Sequence, residues 1–306
     1  MVETVRPPSG HQYRIASGDQ EATVVEVGGG LRTYTAAGVD VLEGYDEAER
    51  CSGGRGQILL PWPNRLRDGR YRFGGAGDQQ LPLTEADRHN AIHGLTRWTN
   101  WTASVHELDR VVMGLVVHPQ PGYPFTLGLS VDYRFAAAGL NVATTAVNLG
   151  DRPCPYGAGA HPYLTVGTDL VDRAVLQAPG TTRLETDEQG IPVGSAPVAG
   201  TTYDFRAPRR LGGTVLDTAY TDLEGAVVSL TDPATRRQVT LWVDGSYRWL
   251  MLFTGDTLGA DRRRRGLAVE PMTCAPNAFV SGEGLRILEP GESWTTSWGV
   301  GPGRSR

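Results

Sequence analysis

The chain has 306 residues, a formal net charge of −5 and a pI near 5.7. This charge argues against nucleic acid or an anionic membrane as a main partner. No apolar run is long enough for a spanning helix, and residues 1–8 lack the apolar segment of a secretory signal. All 29 basic residues are arginine, which excludes lysine Schiff-base chemistry and a Walker-type nucleotide loop.

The sequence contains three cysteines, Cys51, Cys154 and Cys274, which are far apart and form no Cys-x-x-Cys pair. This spacing favours neither a disulfide framework nor a zinc site. We therefore expect a cytoplasmic protein.

Apolar and polar residues alternate over most of the chain, which is the period of a half-buried β-strand. Between 125 and 135 the odd positions are Phe, Leu, Leu, Val, Tyr and Phe, whereas the even ones are Thr, Gly, Ser, Asp and Arg. The same pattern predicts strands, in chain order, at 22–27, 32–35, 111–117, 125–135, 140–149, 226–230, 239–243, 249–254 and 293–300. A helical period is confined to 84–89.

The 40 glycines and 20 prolines fit the many tight turns that connect short strands. No internal repeat, low-complexity tract or linker interrupts the sequence. The sequence thus predicts an all-β fold, a large antiparallel β-sandwich with few short helices, formed as one domain by residues 1–306.

Four polar residues with catalytic potential lie in short strings rich in glycine and proline. They are Arg65 in Pro-Trp-Pro-Asn-Arg (61–65), His93 in Asn-Ala-Ile-His-Gly-Leu (90–95), His161 in Gly-Ala-Gly-Ala-His-Pro-Tyr (157–163) and Glu270 in Ala-Val-Glu-Pro-Met-Thr (268–273). No metal or cofactor motif accompanies them. The set indicates acid–base chemistry performed by side chains alone.

These strings, and their order between about Gly18 and Gly301, resemble the aldose 1-epimerase (galactose mutarotase) family. The resemblance implies a many-stranded supersandwich with its site in an open cleft on one concave sheet. It also implies a monosaccharide as the partner and no cofactor.

Opening the ring of a cyclic aldose requires two proton transfers at one carbon. The anomeric hydroxyl loses a proton while the ring oxygen gains one, so we expect a base and an acid on opposite sides of that carbon. A carboxylate and a protonated imidazole suffice, because their pKa values can be tuned toward neutrality.

Glu270 is the candidate base and His161 the candidate acid. Glu270 follows the apolar string Gly-Leu-Ala-Val and precedes Pro271, which predicts a position at the end of a strand. His161 lies between a glycine-rich turn and a proline. The resemblance implies that His161 protonates the ring oxygen and that Glu270 is the base.

The remaining site residues are substrate ligands. Arg65 can donate two parallel hydrogen bonds to neighbouring hydroxyls. The resemblance implies that Asn64 and Arg65 bind the sugar, that His93 binds it near the ring oxygen, and that Asp217, in Val-Leu-Asp-Thr-Ala-Tyr (215–220), accepts hydrogen bonds from hydroxyls. Asp244 and Asp256 are the alternatives to Asp217.

Other residues have weaker support. Three aromatic side chains could offer a flat face to the sugar, although core packing is the expected role of each; they are Trp62, Trp249 and Tyr163. His89 lacks a matching context and is predicted to lie at the surface. His11, His106 and His118 match no motif and are given no functional role.

Three alternatives stay open. The arginine run 262–265 is either a solvated loop or a site for a sugar phosphate, which would make the substrate a hexose 6-phosphate. A non-catalytic sugar-binding protein can share this fold. Two histidines and a carboxylate can form a metal triad, but their wide separation in sequence leads us to expect no metal.

A monomer and a homodimer are both compatible with the sequence.

Overall fold

A computed structural model describes residues 6–303, which form an almost entirely antiparallel β-structure. Its strands, in chain order, are β1 Gln12–Ser17, β2 Gln20–Val25, β3 Leu31–Ala36, β4 Val39–Asp40, β5 Ile58–Leu59, β6 Arg65–Arg67, β7 Arg70–Phe73, β8 Gly77–Gln80, β9 Asn90–Ile92, β10 Thr102–His106, β11 Arg110–Val117, β12 Leu127–Ala136, β13 Gly139–Asn148, β14 Cys154–Tyr156, β15 Gly159–Ala160, β16 Tyr163–Leu164, β17 Val175–Gln177, β18 Gly180–Thr186, β19 Pro192–Pro197, β20 Arg209–Arg210, β21 Asp217–Leu223, β22 Val227–Thr231, β23 Gln238–Val243, β24 Trp249–Phe253, β25 Leu267–Met272, β26 Arg286–Leu288 and β27 Ser293–Pro302. The predicted all-β class is confirmed.

Two large sheets organise these strands. The first has the order β10-β11-β12-β13-β27-β23-β22-β17-β20, and the second the order β19-β18-β21-β24-β25-β15-β5 with β16 also paired to β25. A four-stranded sheet, β1 to β4, and three two-stranded pairs complete the structure. All nine strands predicted from alternating hydrophobicity are present, with ends that differ by at most two residues.

The two large sheets share one hydrophobic core. Val131 and Val142 from the first sheet belong to the same buried apolar cluster as Leu252 and Val269 from the second. Because both sheets bury one face in that cluster, they pack as the predicted sandwich. That residues 1–306 form a single domain stays a prediction.

Helical structure within residues 6–303 is limited to short pieces. The α-helix α1 spans Ala278–Ser281, and 3-10 turns span Gly74–Ala76, Ala86–Arg88 and Val171–Arg173. The helix predicted over 84–89 is therefore wrong, because a β-bridge between Glu85 and Asn90 closes the segment after one turn. No helix in the described part of the chain has the length and apolar character of a membrane span.

Strand β25 lies near the middle of the second sheet, and all six of its residues are buried. Glu270 lies inside this strand, opposite Met251 of β24, rather than at its end as predicted. Pro271 does not end the strand because it occupies a position opposite Leu250 within the ladder. The carboxylate is therefore fixed to a rigid element instead of a loop.

Candidate active site

An open cleft of about 820 Å³ lies over the second sheet, on the face turned away from the shared core. Met251 and Glu270 line this cleft, whereas their strand neighbours Leu252 and Val269 belong to the core. Because side chains alternate along β24 and β25, one face of each strand packs in the core and the other lines the cleft. All six predicted site residues line the cleft, namely Asn64, Arg65, His93, His161, Asp217 and Glu270.

Glu270 and His161 are in direct contact at the buried base of the cleft. The Nε2 atom of His161 lies 3.2 Å from Oε1 of Glu270, and the two residues are only 4% and 2% exposed. Glu270 Oε2 and His161 Nδ1 have no hydrogen-bond partner within residues 6–303. The sequence predicted a base and an acid on opposite sides of one carbon. Instead, the 3.2 Å contact places the two groups together on one wall of the cleft.

Burial drives both groups toward their uncharged forms. Loss of solvation raises the pKa of the Glu270 carboxyl well above its ordinary value, with Asp217 adding to the effect and Arg65 opposing it. Loss of solvation also lowers the pKa of His161 to about 3, and the charge of Arg97 acts in the same direction. Perturbed pKa values on two contacting groups in a cleft are typical of an acid–base site.

His93 completes the buried cluster, with its ring centroid 5.4 Å from that of His161. The backbone N–H of Asn64 donates to His93 Nδ1 over 3.1 Å. A neutral imidazole that accepts at Nδ1 carries its hydrogen on Nε2, so His93 can donate from that atom. Burial lowers the pKa of His93 well below its ordinary value, with Arg97 contributing next, which keeps the ring neutral.

His161 is held by packing on two sides. Its ring stacks on Tyr163 with centroids 5.0 Å apart and an interplanar angle of 13°. Tyr163 in turn donates from its hydroxyl to Gly53 O over 2.7 Å and lies under the guanidinium of Arg55 at 4.6 Å. The orientation of the imidazole is therefore set by a series of buried contacts.

Arg65 is fixed by a carboxylate that the sequence did not indicate. Its Nε and Nη2 atoms donate to the two oxygens of Glu85 over 2.9 and 3.0 Å, and Nη2 lies 3.7 Å from Asp217 Oδ2. Arg88 lies 3.5 Å from the same Asp217 oxygen. The predicted ligands Arg65 and Asp217 are thus neighbours in a network of alternating charge.

The three groups most suited to holding a cation are the same three that form the acid–base cluster. Donor atoms of His93, His161 and Glu270 all lie within 4.8 Å of one another. Two imidazoles and one carboxylate match the ligand types of zinc and non-haem iron sites. The expectation that no metal binds stays a prediction.

The arginine run 262–265 serves the fold rather than the cleft. Arg262 donates to Glu43 over 3.1 Å and also binds Glu49. Arg264 is buried and donates to Asp172 over 2.7 Å and to Asp256 over 2.9 Å. None of the four arginines is among the described residues that line the cleft. The solvated loop expected over 262–265 is wrong for Arg264, which is buried. A sugar in the cleft would not contact these arginines.

The alternatives to Asp217 have structural partners elsewhere. Asp256 binds Arg264, and Asp244 accepts from the backbone N–H of Ser297 over 2.5 Å. Trp62 and Trp249 are buried and do not line the cleft. His89 lies at the surface as predicted, and so do His11, His106 and His118.

Residues that sequence reasoning missed add recognition chemistry to the cleft. Glu85, Arg88, Arg97 and Trp98 all line it. Trp98 is 48% exposed, which is high for a tryptophan and leaves its ring free to contact a ligand. The only hint in the sequence is that Arg97 and Trp98 follow His93 within five positions.

The chain resembles several proteins along nearly its whole length. It is 35% identical over 286 residues to the uncharacterized protein YihR of Escherichia coli K12, covering 93% of this chain and 91% of YihR. It is 26% identical over 210 residues to a maltose epimerase of Levilactobacillus brevis, covering 60% of each chain.

Solved structures share the fold. An aldose epimerase homologue from C. elegans superposes with a TM-score of 0.87 at 18% identity, covering 97% of this chain and 99% of that one. Galactose 1-epimerase from Lactobacillus acidophilus superposes with a TM-score of 0.77 at 22% identity, covering 94% and 93%. These matches establish a galactose mutarotase-like architecture.

The aldose 1-epimerase family model matches residues 11–299. That range contains every residue of the cleft described above, and both large sheets except the last three residues of β27. The chain therefore belongs to the aldose 1-epimerase family, whose members are isomerases.

Proposed function

We propose that this protein interconverts the α and β anomers of a free aldohexose, such as glucose or galactose, by acid–base ring opening and reclosure. The observation that carries the proposal is the 3.2 Å contact between His161 Nε2 and Glu270 Oε1 in a sugar-sized cleft. O1 and O5 of a pyranose are bonded to the same carbon, so two proton-transfer groups in contact can address both oxygens at once.

In the proposed reaction the pair carries one proton. Its transfer from Glu270 to His161 converts an uncharged acid and base into a carboxylate and an imidazolium. Glu270 then removes the proton of the O1 hydroxyl, the C1–O5 bond breaks, and His161 gives its proton to O5. The aldehyde rotates about C1–C2, and the same two transfers run backwards to close the ring on the other face.

The polar residues around the pair would position the sugar. His93 would donate from Nε2 to an oxygen near O5. Asn64 has its amide oxygen occupied by the backbone N–H of Arg65 over 2.9 Å, which leaves its amide nitrogen as the donor. Arg65 would donate to hydroxyls, and Asp217 would accept from them.

This scheme requires no cofactor, because every proton is carried by a protein side chain. We further propose that one domain over residues 1–306 acts as a monomer or homodimer in the cytoplasm. The cysteines Cys51, Cys154 and Cys274 are free, as in a reducing compartment.

Polarimetry with freshly dissolved α-D-glucose and α-D-galactose tests the activity. We expect Glu270→Gln and His161→Ala to slow anomerisation by about 10²- to 10⁴-fold, the usual contribution of a general acid or base. Exposed His89→Ala and Glu107→Gln are the matched controls. Equal rates in all variants would exclude the assignment, and sugar binding without turnover by the wild type would favour the non-catalytic alternative. Dialysis against EDTA should leave the rate unchanged.

A further inference from the structure

The charged residues of the cleft fall into two groups with different partners. In the first group, arginines face carboxylates: Arg65 is bound by Glu85 through two hydrogen bonds, and Arg88 lies 3.5 Å from Asp217. Positive and negative charges are balanced there. Such a network suits the uncharged hydroxyls of a sugar, since it offers donors and acceptors side by side.

The second group contains arginines without carboxylates. Arg50 and Arg97 line the same cleft, and neither has an acidic group within salt-bridge distance in residues 6–303. Arg97 donates only to neutral oxygens, Ile92 O over 3.2 Å and Gln57 Oε1 over 3.5 Å. The guanidinium of Arg50 lies 4.6 Å above the ring of Trp98, and that of Arg97 lies 5.9 Å from it.

Arg97 is half-buried, so its charge is costly to leave without a counter-charge. Within residues 6–303, the carboxylate that acts on the Arg97 charge is that of Glu85, which is already bound to Arg65. An anionic ligand group would supply the missing partner. A guanidinium is well suited to this task because its fork of donors matches the oxygens of a carboxylate or phosphate.

The location of Arg97 indicates which part of a sugar the anion would belong to. Arg97 Nη2 donates to Ile92 O over 3.2 Å, and Ile92 directly precedes His93, so the guanidinium lies on the His93 side of the cleft that His161 also lines. The charge of Arg97 also lowers the pKa of both imidazoles. In the proposed function His161 serves the ring oxygen O5. The atom bonded to O5 on the side away from C1 is C5, which carries the exocyclic carbon C6.

Resting on the proposed function, we propose that Arg97 and Arg50, both close to the ring of Trp98, form a subsite for an anionic group at C6 of the aldose. The shared chemistry is a planar or tetrahedral oxyanion, either the carboxylate of a hexuronic acid or the phosphate of a hexose 6-phosphate. The preferred substrate is therefore charged, and uncharged hexoses bind with this subsite empty.

The test compares kcat/KM for anomerisation of glucose, glucuronate and glucose 6-phosphate at low salt. We expect at least one anionic sugar to be preferred, and the anion that is preferred identifies the source of the oxyanion. Arg97→Gln should reduce the ratio of anionic to neutral kcat/KM by about tenfold or more, the value of one charge-assisted interaction. Arg50→Gln should reduce it by a smaller factor, because Arg50 is exposed.

The ratio of anionic to neutral kcat/KM distinguishes recognition by Arg97 from a merely structural role. Loss of a structural role would lower kcat/KM for all three sugars together. Arg97→Lys keeps the charge and should retain part of the preference. Arg263→Gln, which removes an exposed charge from the 262–265 segment, is the matched control and should leave the ratio unchanged. Equal kcat/KM for all three sugars in the wild type, or an unchanged ratio in Arg97→Gln, would overturn the subsite.

Binding measurements keep this proposal separate from the proposed function. Methyl β-D-glucuronide and methyl β-D-glucoside cannot open their rings, so calorimetry with them, and with methyl glucoside 6-phosphate, measures recognition alone. Tighter binding of an anionic glycoside, weakened by salt and by Arg97→Gln, would support the subsite even if no sugar were turned over. If Arg97→Gln fails to fold, two other measurements decide. The subsite is refuted if Arg50→Gln does not change the anion preference and if salt does not weaken the binding of anionic glycosides to the wild type.

Discussion

The backbone of Gly54 lies directly against the imidazole of His161. A Cβ atom added to Gly54 would come within 2.7 Å of His161 Cδ2 and 3.1 Å of its Nε2, the atom that contacts Glu270. Gly54 also has a φ of +76°, which residues other than glycine rarely adopt. The loop before β5 therefore defines one side of the slot that holds the proposed acid.

Replacing this glycine should damage activity beyond its effect on stability. Gly54→Ala must displace the His161 ring, so we expect a loss of at least about tenfold in kcat, as misplacement of a catalytic group usually costs. Gly38→Ala is the matched control because Gly38 has a similar φ of +73° and nothing within 4 Å of its added Cβ. Both variants should lose about 1 kcal/mol from backbone strain, as measured by thermal unfolding. Equal activity in the two would show that Gly54 does not position the ring.

The pH profile of kcat/KM should report the pair rather than either residue alone. The active form holds one proton. A second proton must go onto His161, whose pKa burial lowers to about 3, so activity should survive well below the ordinary pKa of a histidine. The single proton leaves on the alkaline side at a pKa that burial raises above that of an ordinary carboxyl. Polarimetry across pH checks both limbs. Loss of activity already at the ordinary pKa of a histidine would contradict a buried, uncharged His161.

Glu270 should make the protein less stable as the pH rises. Its folded pKa is raised, so between the unfolded value of about 4.5 and the folded value the native chain keeps a proton that the unfolded chain releases. Stability falls with rising pH in that window. The Glu270→Gln variant lacks this penalty, so its melting temperature should match the wild type at acid pH and exceed it increasingly toward neutrality. A constant difference across pH 4 to 8 would contradict the buried, uncharged carboxyl.

Substitution of Arg65 should weaken sugar binding more than it slows the chemistry. Arg65→Lys loses the double hydrogen bond to Glu85 and the fork geometry that presents donors to two hydroxyls. We expect KM for glucose to rise by about tenfold, the value of one charged hydrogen bond, with a smaller change in kcat. Arg67→Lys, on the same strand but bound to Asp187 and Gln189, is the control. If both changes affect KM equally, Arg65 is not a sugar ligand.

Sequence patterns predicted the strands that expose one face and bury the other. β12 and β13 alternate cleanly because one face packs in the core and the other is partly solvated. β25 shows no such alternation because all its residues are buried, so the sequence indicated only its apolar first half and placed Glu270 at the end of the strand. β19, Pro-Val-Gly-Ser-Ala-Pro, was not predicted because its residues have poor strand propensity and lie at a sheet edge.

The predicted cleft residues came from short motifs, and the missed ones came from tertiary contacts. His161 and Glu270 lie in distinctive strings, so each could be singled out before their 3.2 Å contact was known. Glu85 has no such string, and its role follows only from its pairing with Arg65, which is distant in sequence. The structural roles of Arg262 and Arg264 were equally hidden, because their carboxylate partners Glu43 and Asp172 come from other segments.

The position of Glu270 inside a central strand has a consequence for how this scaffold can diversify. Glu270 is anchored inside β25, and His161 lies in the two-residue link between β15 and β16, both of which pair with β25. Arg50, Arg88 and Arg97, in contrast, project from connecting segments outside the strands. Substrate preference can therefore change through substitutions in the connecting segments while Glu270 and His161 stay in place. A lineage could pass from one carbohydrate to another without ever rebuilding the machinery that opens the ring.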